Sequence, residues 1–355
     1  MVAPYVKFVA KKAVALALTL VLATYLVVII SNLGGYLDTL VRNQIIKEVT
    51  SRYAQRPEFQ RLPKEEQEKI LKREIEAELK ARGLDKPFFP DRSLIYLRDA
   101  LSLNLGRAMV IKSASGSSKV SAIILERLPW SVLLFTTGTI LSVAIGIYLG
   151  LHMGRRALSK FDRGMSLSAI ILQSIPPWYF GVLALLIFAY RLHWFPSGGW
   201  VKKFYGVPWY ILAVDMLHHL ALPLVCWVIS TFGFWAYVTR NLVIYILYED
   251  YVMAAKAKGV PEEMLIRRYV LRPAAPPIVT MTALALIASW QGAIITETVF
   301  KWFGLGYLYW QAIMALDAPI IIGLTVTYAY LLMITVLVLD IIYGLLDPRV
   351  RTGGG

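Results

Sequence analysis

Hydrophobic and polar residues fall in long blocks along this chain, not in the short alternation of a soluble fold. Residues 13–30 (AVALALTLVLATYLVVII) carry no charge and follow Lys7, Lys11 and Lys12. The run is long for a signal peptide and no clear small-residue cleavage site follows it, so it reads as an uncleaved first span with its N-terminus inside. Further uncharged runs occupy 128–151, 164–190, 217–239, 274–296 and 318–339, which makes six predicted spans. The third holds Gln173, Ser174, Pro176 and Pro177, and the fourth has Pro223 early in it. Proline at membrane depth frees a carbonyl and bends the helix; it is tolerated where a neighbour or a wet cavity satisfies the freed group.

The polar blocks set the domain plan. Residues 1–31 hold the first tail and span, 32–123 an extracytoplasmic insertion, 124–344 a membrane core, and 345–355 a cytoplasmic tail. Within the insertion, 63–82 (PKEEQEKILKREIEAELKAR) reads as a charged helix opened by Pro63 and closed by Gly83, with Leu71, Ile75 and Leu79 as a narrow apolar stripe. After Trp302 and Trp310, in the outer segment 297–317, the last span leads to a basic tail. The predicted fold class is therefore an all-α polytopic membrane protein.

Composition sharpens this picture. The chain has 355 residues, is 57% hydrophobic, has a mean hydropathy of +0.59 and carries a net charge of +14. Such a charge admits nucleic acid as a partner, but no basic-aromatic groove or zinc-finger spacing is present. Part of the excess sits in two short loops read as lying on the same side: 152–163 with Arg155, Arg156, Lys160 and Arg163, and 240–273 with Arg240, Lys256, Lys258, Arg267, Arg268 and Arg272. Basic inside loops explain the charge and put both termini in the cytoplasm.

The chemistry is sparse. One cysteine, Cys226, cannot form an internal disulfide, and His152, His193, His218 and His219 have no metal-ligand spacing. No P-loop, nucleophile elbow or zinc-protease motif is present, so the chain is not read as an enzyme. The spans are almost free of charge; Glu297 and Asp340 lie at their margins and read as caps or ion pairs. An ATPase-independent secondary carrier is an alternative class, but it lacks membrane-embedded charges here. Uncharged polar positions do occur: Gln173, Ser174, Ser230, Thr231, Ser289, Gln291 and Thr296. They either line a path for a polar solute or bond helix to helix. Gln173, Ser174, Ser289, Gln291 and Thr296 are the path candidates.

The stretch 248–280 (YEDYVMAAKAKGVPEEMLIRRYVLRPAAPPIVT) stands apart as short, polar and basic. Glu249 and Asp250 suit the first turn of a helix, and Lys256 and Lys258 its last. Gly259 is a natural C′ residue and Pro261 can open a second helix, with Arg267 and Arg268 near its end. The result is a bent helix pair with an Ala-lined face (Met253, Ala254, Ala255, Ala257) that a partner can approach, or an ordinary loop between spans.

These residues resemble the cytoplasmic loop of binding-protein-dependent ABC importer permeases, and more closely the B-type permease of the dipeptide/oligopeptide/nickel group. That pattern is Glu-Ala-Ala, three residues, Gly; here Ala254, Ala255 and Gly259 match and Met253 replaces the Glu. Segments LNLGRAM (103–109), LERLPWSVLL (125–134), SIPPWYFGV (174–182), ETVFKWFGLGYL (297–308) and LDPRVR (346–351) resemble the same group in order. The resemblance implies a type I importer permease fold and a path shared with a second, C-type permease. It also implies two cytoplasmic ATPase subunits that bind the ATP and magnesium, and an extracytoplasmic substrate-binding protein. Coupling to the ATPases falls to Glu249, Asp250, Met253, Ala254, Ala255, Lys256, Lys258, Gly259 and Val260. The implied cargo is di- or oligopeptide, with oligosaccharide and nickel as variants.

Overall fold

The computed structural model describes residues 2–81, 83–199 and 207–346. The predicted tail 345–355, the motif 346–351 and the outer loop after residue 190 therefore fall partly outside the described residues. Among those residues there is no strand, only an isolated antiparallel bridge between Arg107 and Lys119. Five of the described helices are long and apolar enough to cross a membrane, or six where a bent helix pair counts as one span.

The first long helix, α1 (Val2–Ser31), packs along the last, α15 (Ala318–Leu346), and Lys12 reaches Asp340 at 3.4 Å. Beyond α1 the insertion is helical: α2 (Tyr36–Ala54), α3 (Pro57–Gln60), α4 (Lys64–Ala81) and α5 (Ser93–Leu101). The stripe of Leu71, Ile75 and Leu79 on α4 closes on Val41, Ile45, Val49 and Tyr53 of α2, so the charged helix has a small core of its own. Gly83 closes α4 with φ 72°. Asp38 ties the insertion to the end of α1. It accepts from Arg92 at 2.7 Å, from Tyr96 at 3.0 Å and from the Asn32 amide at 3.2 Å. Burial and the adjacent Asp38 hold the Tyr96 phenol well above its usual range, which keeps it a donor.

In the core, α6 (Val120–Arg155) contains the predicted run 128–151 but starts earlier, at the end of the insertion. It lies against α9 (Trp209–Leu247) along a row of small residues. Gly138, Ser142, Gly146, Gly150 and Gly154 recur every four residues on one face of α6. A Cβ at Gly154 would sit 2.6 Å from Val243, and one at Gly146 would overlap Trp235. Small residues at this spacing let two backbones approach in a bilayer, where water supplies no driving force between helices.

The third predicted span is not one helix. It is α7 (Lys160–Ser174) and α8 (Pro177–Ala184), continued by π turns over Leu185–Arg191, with a bend of 90° between the halves. Pro176 and Pro177 remove the two donors a continuous helix would offer to the Leu172 and Gln173 carbonyls, and at the break Ser230 on α9 donates to the Ile175 carbonyl at 3.0 Å. The fifth span also differs from expectation. The helix runs from Glu262 through α11 (Glu262–Met264), π turns at Leu265–Val270 and α12 (Leu271–Ala288), and stops at Gln291. Gly292, at φ 69° and ψ −172°, breaks the chain, and α13 (Ile294–Phe300) restarts it. Two short helices, α13 and α14 (Leu305–Met314), then fill the segment before α15.

Glu297 is the pin of that segment. Its fully buried carboxylate accepts from Ser131 (2.7 Å) and from the Gly306 (2.8 Å) and Tyr307 (3.1 Å) amides, which caps the start of α14. Asp317, also buried, gathers the amides of Met109, Val110 and Ile111 at 2.8–3.1 Å and so fastens the insertion's last loop to the start of α15.

Candidate coupling helix and solute path

The stretch 248–280 folds as a helix, a tight bend and a second helix. Helix α10 (Asp250–Ala257) follows Glu249, whose carbonyl takes the Val252 and Met253 amides at 2.9 and 3.1 Å. It ends in a Schellman motif: Val260 N–H donates to the Ala255 carbonyl at 3.2 Å and Gly259 N–H to Lys256 at 3.0 Å. The motif needs a left-handed residue at C′, and Gly259 supplies it with φ 78°. Pro261 precedes the second helix, which does not end at Arg267 and Arg268 as the charges suggest but runs on into α12. Pro273 has no N–H for the Tyr269 carbonyl, and the Tyr251 hydroxyl of α10 donates to that oxygen at 3.3 Å. Partial burial and neighbouring Glu249 hold the Tyr251 phenol above its usual value, so the proton stays on the donor.

The two faces of α10 are distinct. Val252 and Ala255 are buried and pack with Val243, Ile246, Leu265, Ile266 and Val270. Asp250, Tyr251, Met253, Ala254, Lys256, Ala257, Lys258 and Gly259 are exposed, and Glu249 and Val260 are half-buried. Ala255 is therefore turned away from the face a partner can reach. The apolar spacing of Val252, Ala255 and Val260 is the signal for this, since one turn of helix separates the first two.

The base beneath α10 is cross-braced. Asp162 at the start of α7 receives Nε of Arg240 at 2.7 Å and its Nη2 at 2.8 Å. Arg155 at the end of α6 reaches Glu262 at 3.3 Å. Both pairs join the two basic loops of the sequence.

The bend between α7 and α8 opens a cavity of about 570 Å³ between α6, α9 and α12. Gln173, Ser174 and Ser289 line it, together with Ser230, Thr231 and Thr139 and the rings of Phe135, Trp227, Phe234 and Trp235. No charged side chain lines it. Several of the hydroxyls already bond across helices: Ser289 with Thr136 at 2.9 Å, Thr231 with Ser142 at 2.7 Å, and Ser230 with Ile175. Gln173 is exposed, and its side-chain amide has no hydrogen bond among the described residues.

Residues 142–352, which hold α10, its braces and most of the cavity, match the family of binding-protein-dependent transport system inner membrane components. The chain belongs to this family. The permease is 30% identical over 283 residues to the oligopeptide transport system permease protein AppB of Bacillus subtilis, covering 80% of this chain and 87% of that protein. A putative peptide permease of Brucella suis is 32% identical over 271 residues (76% and 82%). The dipeptide transport system permease protein DppB of Lactococcus lactis is 27% identical over 283 residues (80% and 87%). Among solved structures, a chain of the MetNI methionine ABC transporter in inward-facing conformations resembles it with a TM-score of 0.47 at 16% identity, over 67% of this chain and all of that one.

The permease brings three of the five path candidates to one cavity and separates two from it. Gln291 and Thr296 flank the break at Gly292; Thr296 is buried on α13. Sequence reasoning missed Asp162, whose partner lies 78 residues away, and it missed the aromatic walls. The i+4 row of small residues on α6 is a signal that was there to be read.

Proposed function

We propose that this chain is one permease subunit of an ATP-driven importer of di- and oligopeptides, with the cavity at the α7–α8 bend as its half of the solute path. The observation that carries the reading is α10: a short helix with one face locked into the base of α9 and α12 and the other presenting Met253, Ala254, Lys256 and Lys258. A short, well-braced helix with an exposed small residue suits a groove on a cytoplasmic ATPase subunit. Two such subunits bind the ATP and magnesium and close on nucleotide; the movement of α10 then biases the spans between two states. A C-type permease supplies the other half of the path, and a substrate-binding protein delivers the solute to the insertion side. Both termini and α10 lie in the cytoplasm in this reading. The named relatives carry oligopeptides, dipeptides or peptides, which supports the cargo.

One observation favours oligosaccharide as a second cargo: the cavity combines aromatic rings with neutral polar groups and offers no countercharge to a peptide terminus. ATPase stimulation of the reconstituted complex by peptide-loaded or sugar-loaded binding protein separates the two. For the coupling role, Ala254→Glu is the decisive variant because Ala254 is exposed. It is expected to insert and fold while uptake is lost. Normal uptake with full assembly would sink the assignment.

A further inference from the structure

A second cavity has no part in this path. A cleft of about 880 Å³ lies between the insertion and the core. Its floor is apolar, built from Val28 of α1, Val41 of α2, Ile95 and Ala100 of α5, and Ile322 of α15. Its rim is cationic: Lys80, Lys86, Arg98, Arg107 and Lys119. The Arg107–Lys119 bridge holds two of these side by side. The cleft also holds two acids, and both are engaged: Glu48 with Arg107 at 3.6 Å and Asp99 with Arg98 at 3.2 Å. Lys80, Lys86 and Lys119 have no ion-pair partner among the described residues. The first turn of α6 brings Ser121 to the same cleft, and no side chain caps that turn.

We propose that this cleft binds the anionic headgroup of a membrane lipid. The floor comes partly from α1 and α15, two membrane-crossing helices, so it lies where those helices leave the bilayer. Lysines stand above apolar side chains, which is the order a phosphate above acyl chains requires. The insertion as a whole favours an anion, with 17 Lys and Arg against 12 Asp and Glu in residues 32–119. Lysines near an anionic membrane surface each add attraction that decays within a Debye length. A lipid held here joins α4 and α5 to α6 and α15 and braces the insertion on the core.

The test uses the full chain purified in neutral detergent, with thermal unfolding followed during titration with phosphatidylglycerol, phosphatidylcholine or inorganic phosphate. Phosphatidylglycerol is expected to raise Tm, and the other two to leave it unchanged. The variant Lys80→Gln/Lys86→Gln/Lys119→Gln is expected to need about fivefold more phosphatidylglycerol for each lysine removed. A control, Lys64→Gln/Lys69→Gln/Lys72→Gln, removes the same charge from α4 away from the cleft and keeps the response. Should the cleft variant unfold early without lipid, Lys86→Gln alone, in the turn after α4, carries the same comparison. An equal Tm rise with phosphatidylcholine marks ordinary solvation by lipid, and one with inorganic phosphate a small-anion site; either overturns the proposal. So does an unchanged response in the cleft variants, or an equal loss in the control.

Discussion

Asp162 and Arg240 form a two-pronged ion pair, Nε to Oδ1 at 2.7 Å and Nη2 to Oδ2 at 2.8 Å. The carboxylate is fully buried and the guanidinium 19% exposed. Leu158 N–H adds a third bond at 2.8 Å. Planar, paired contact of this kind is what Arg offers and Lys does not. Together they fix the start of α7 to the last turns of α9, from which the chain enters α10. Arg240→Met leaves a buried carboxylate without its cation and is expected to cost about 3 kcal/mol. Arg240→Lys, which keeps the charge but only one prong, is expected to cost less. Thermal unfolding of the purified variants checks the order; equal stability of all three proteins removes the brace from the account.

The contrast between this pair and Gly259 shows what the sequence carries. The bend at Gly259 was legible because its determinants are local: a left-handed residue, a proline two positions on, and charges placed for two helix ends. The charge-free runs were legible for the same reason. Asp162 with Arg240 depends on two elements meeting across the fold, and nothing near either residue announces the other. The breaks lie between these cases. Pro176 and Pro177 signalled a bend but not its 90° size, and Gly292 broke the fifth helix without any proline to mark it. Helix α2 was missed because Val41, Ile45 and Val49 are set among charges and gain meaning only against the α4 stripe. Composition shows that Ala255 is small but not that it points into the fold, where it is buried.

The α6–α9 seam depends on absent side chains. A Cβ at Gly150 would fall on the Ala236 carbonyl and 2.6 Å from Thr239. Backbone cannot yield as a flexible side chain does, so Gly150→Leu is expected to force the helices apart and cost at least the 1–3 kcal/mol (roughly) of ordinary overpacking. Gly164→Leu is its control, since nothing lies within 4 Å of a Cβ there. The fraction of detergent-extracted protein that runs as a single species is the measurement; it should fall for the first variant and not for the second.

Tyr251 links α10 to the foot of the fifth span through the carbonyl that Pro273 leaves free. The contact is long, at 3.3 Å, and exposed, so its loss is expected to cost about 0.5–1 kcal/mol of local stability. Its larger effect is mechanical: in Tyr251→Phe, α10 keeps its apolar grip but loses this polar tie to that foot. Reconstituted complexes are expected to hydrolyse ATP at the wild-type rate and import less solute per ATP. An unchanged ratio removes Tyr251 from the transmission route.

Glu297 joins three elements: Ser131 on α6, its own helix α13, and the first amides of α14. Ser131 in turn accepts the Leu305 amide at 2.8 Å. The turn between α13 and α14 therefore closes on the Glu297 carboxylate and the Ser131 hydroxyl together. Glu297→Ala strands the Gly306 and Tyr307 amides in a buried site, at about 1–3 kcal/mol for each unpaired group. Glu297→Gln keeps one acceptor oxygen for the two amides and offers its NH2 to Ser131, so it is expected to retain most of the stability. A proton-relay role makes the opposite prediction, because Gln cannot titrate. Comparing Tm and uptake for the two variants decides between them: a stable Glu297→Gln protein with normal uptake supports the cap, and a stable one without uptake overturns it.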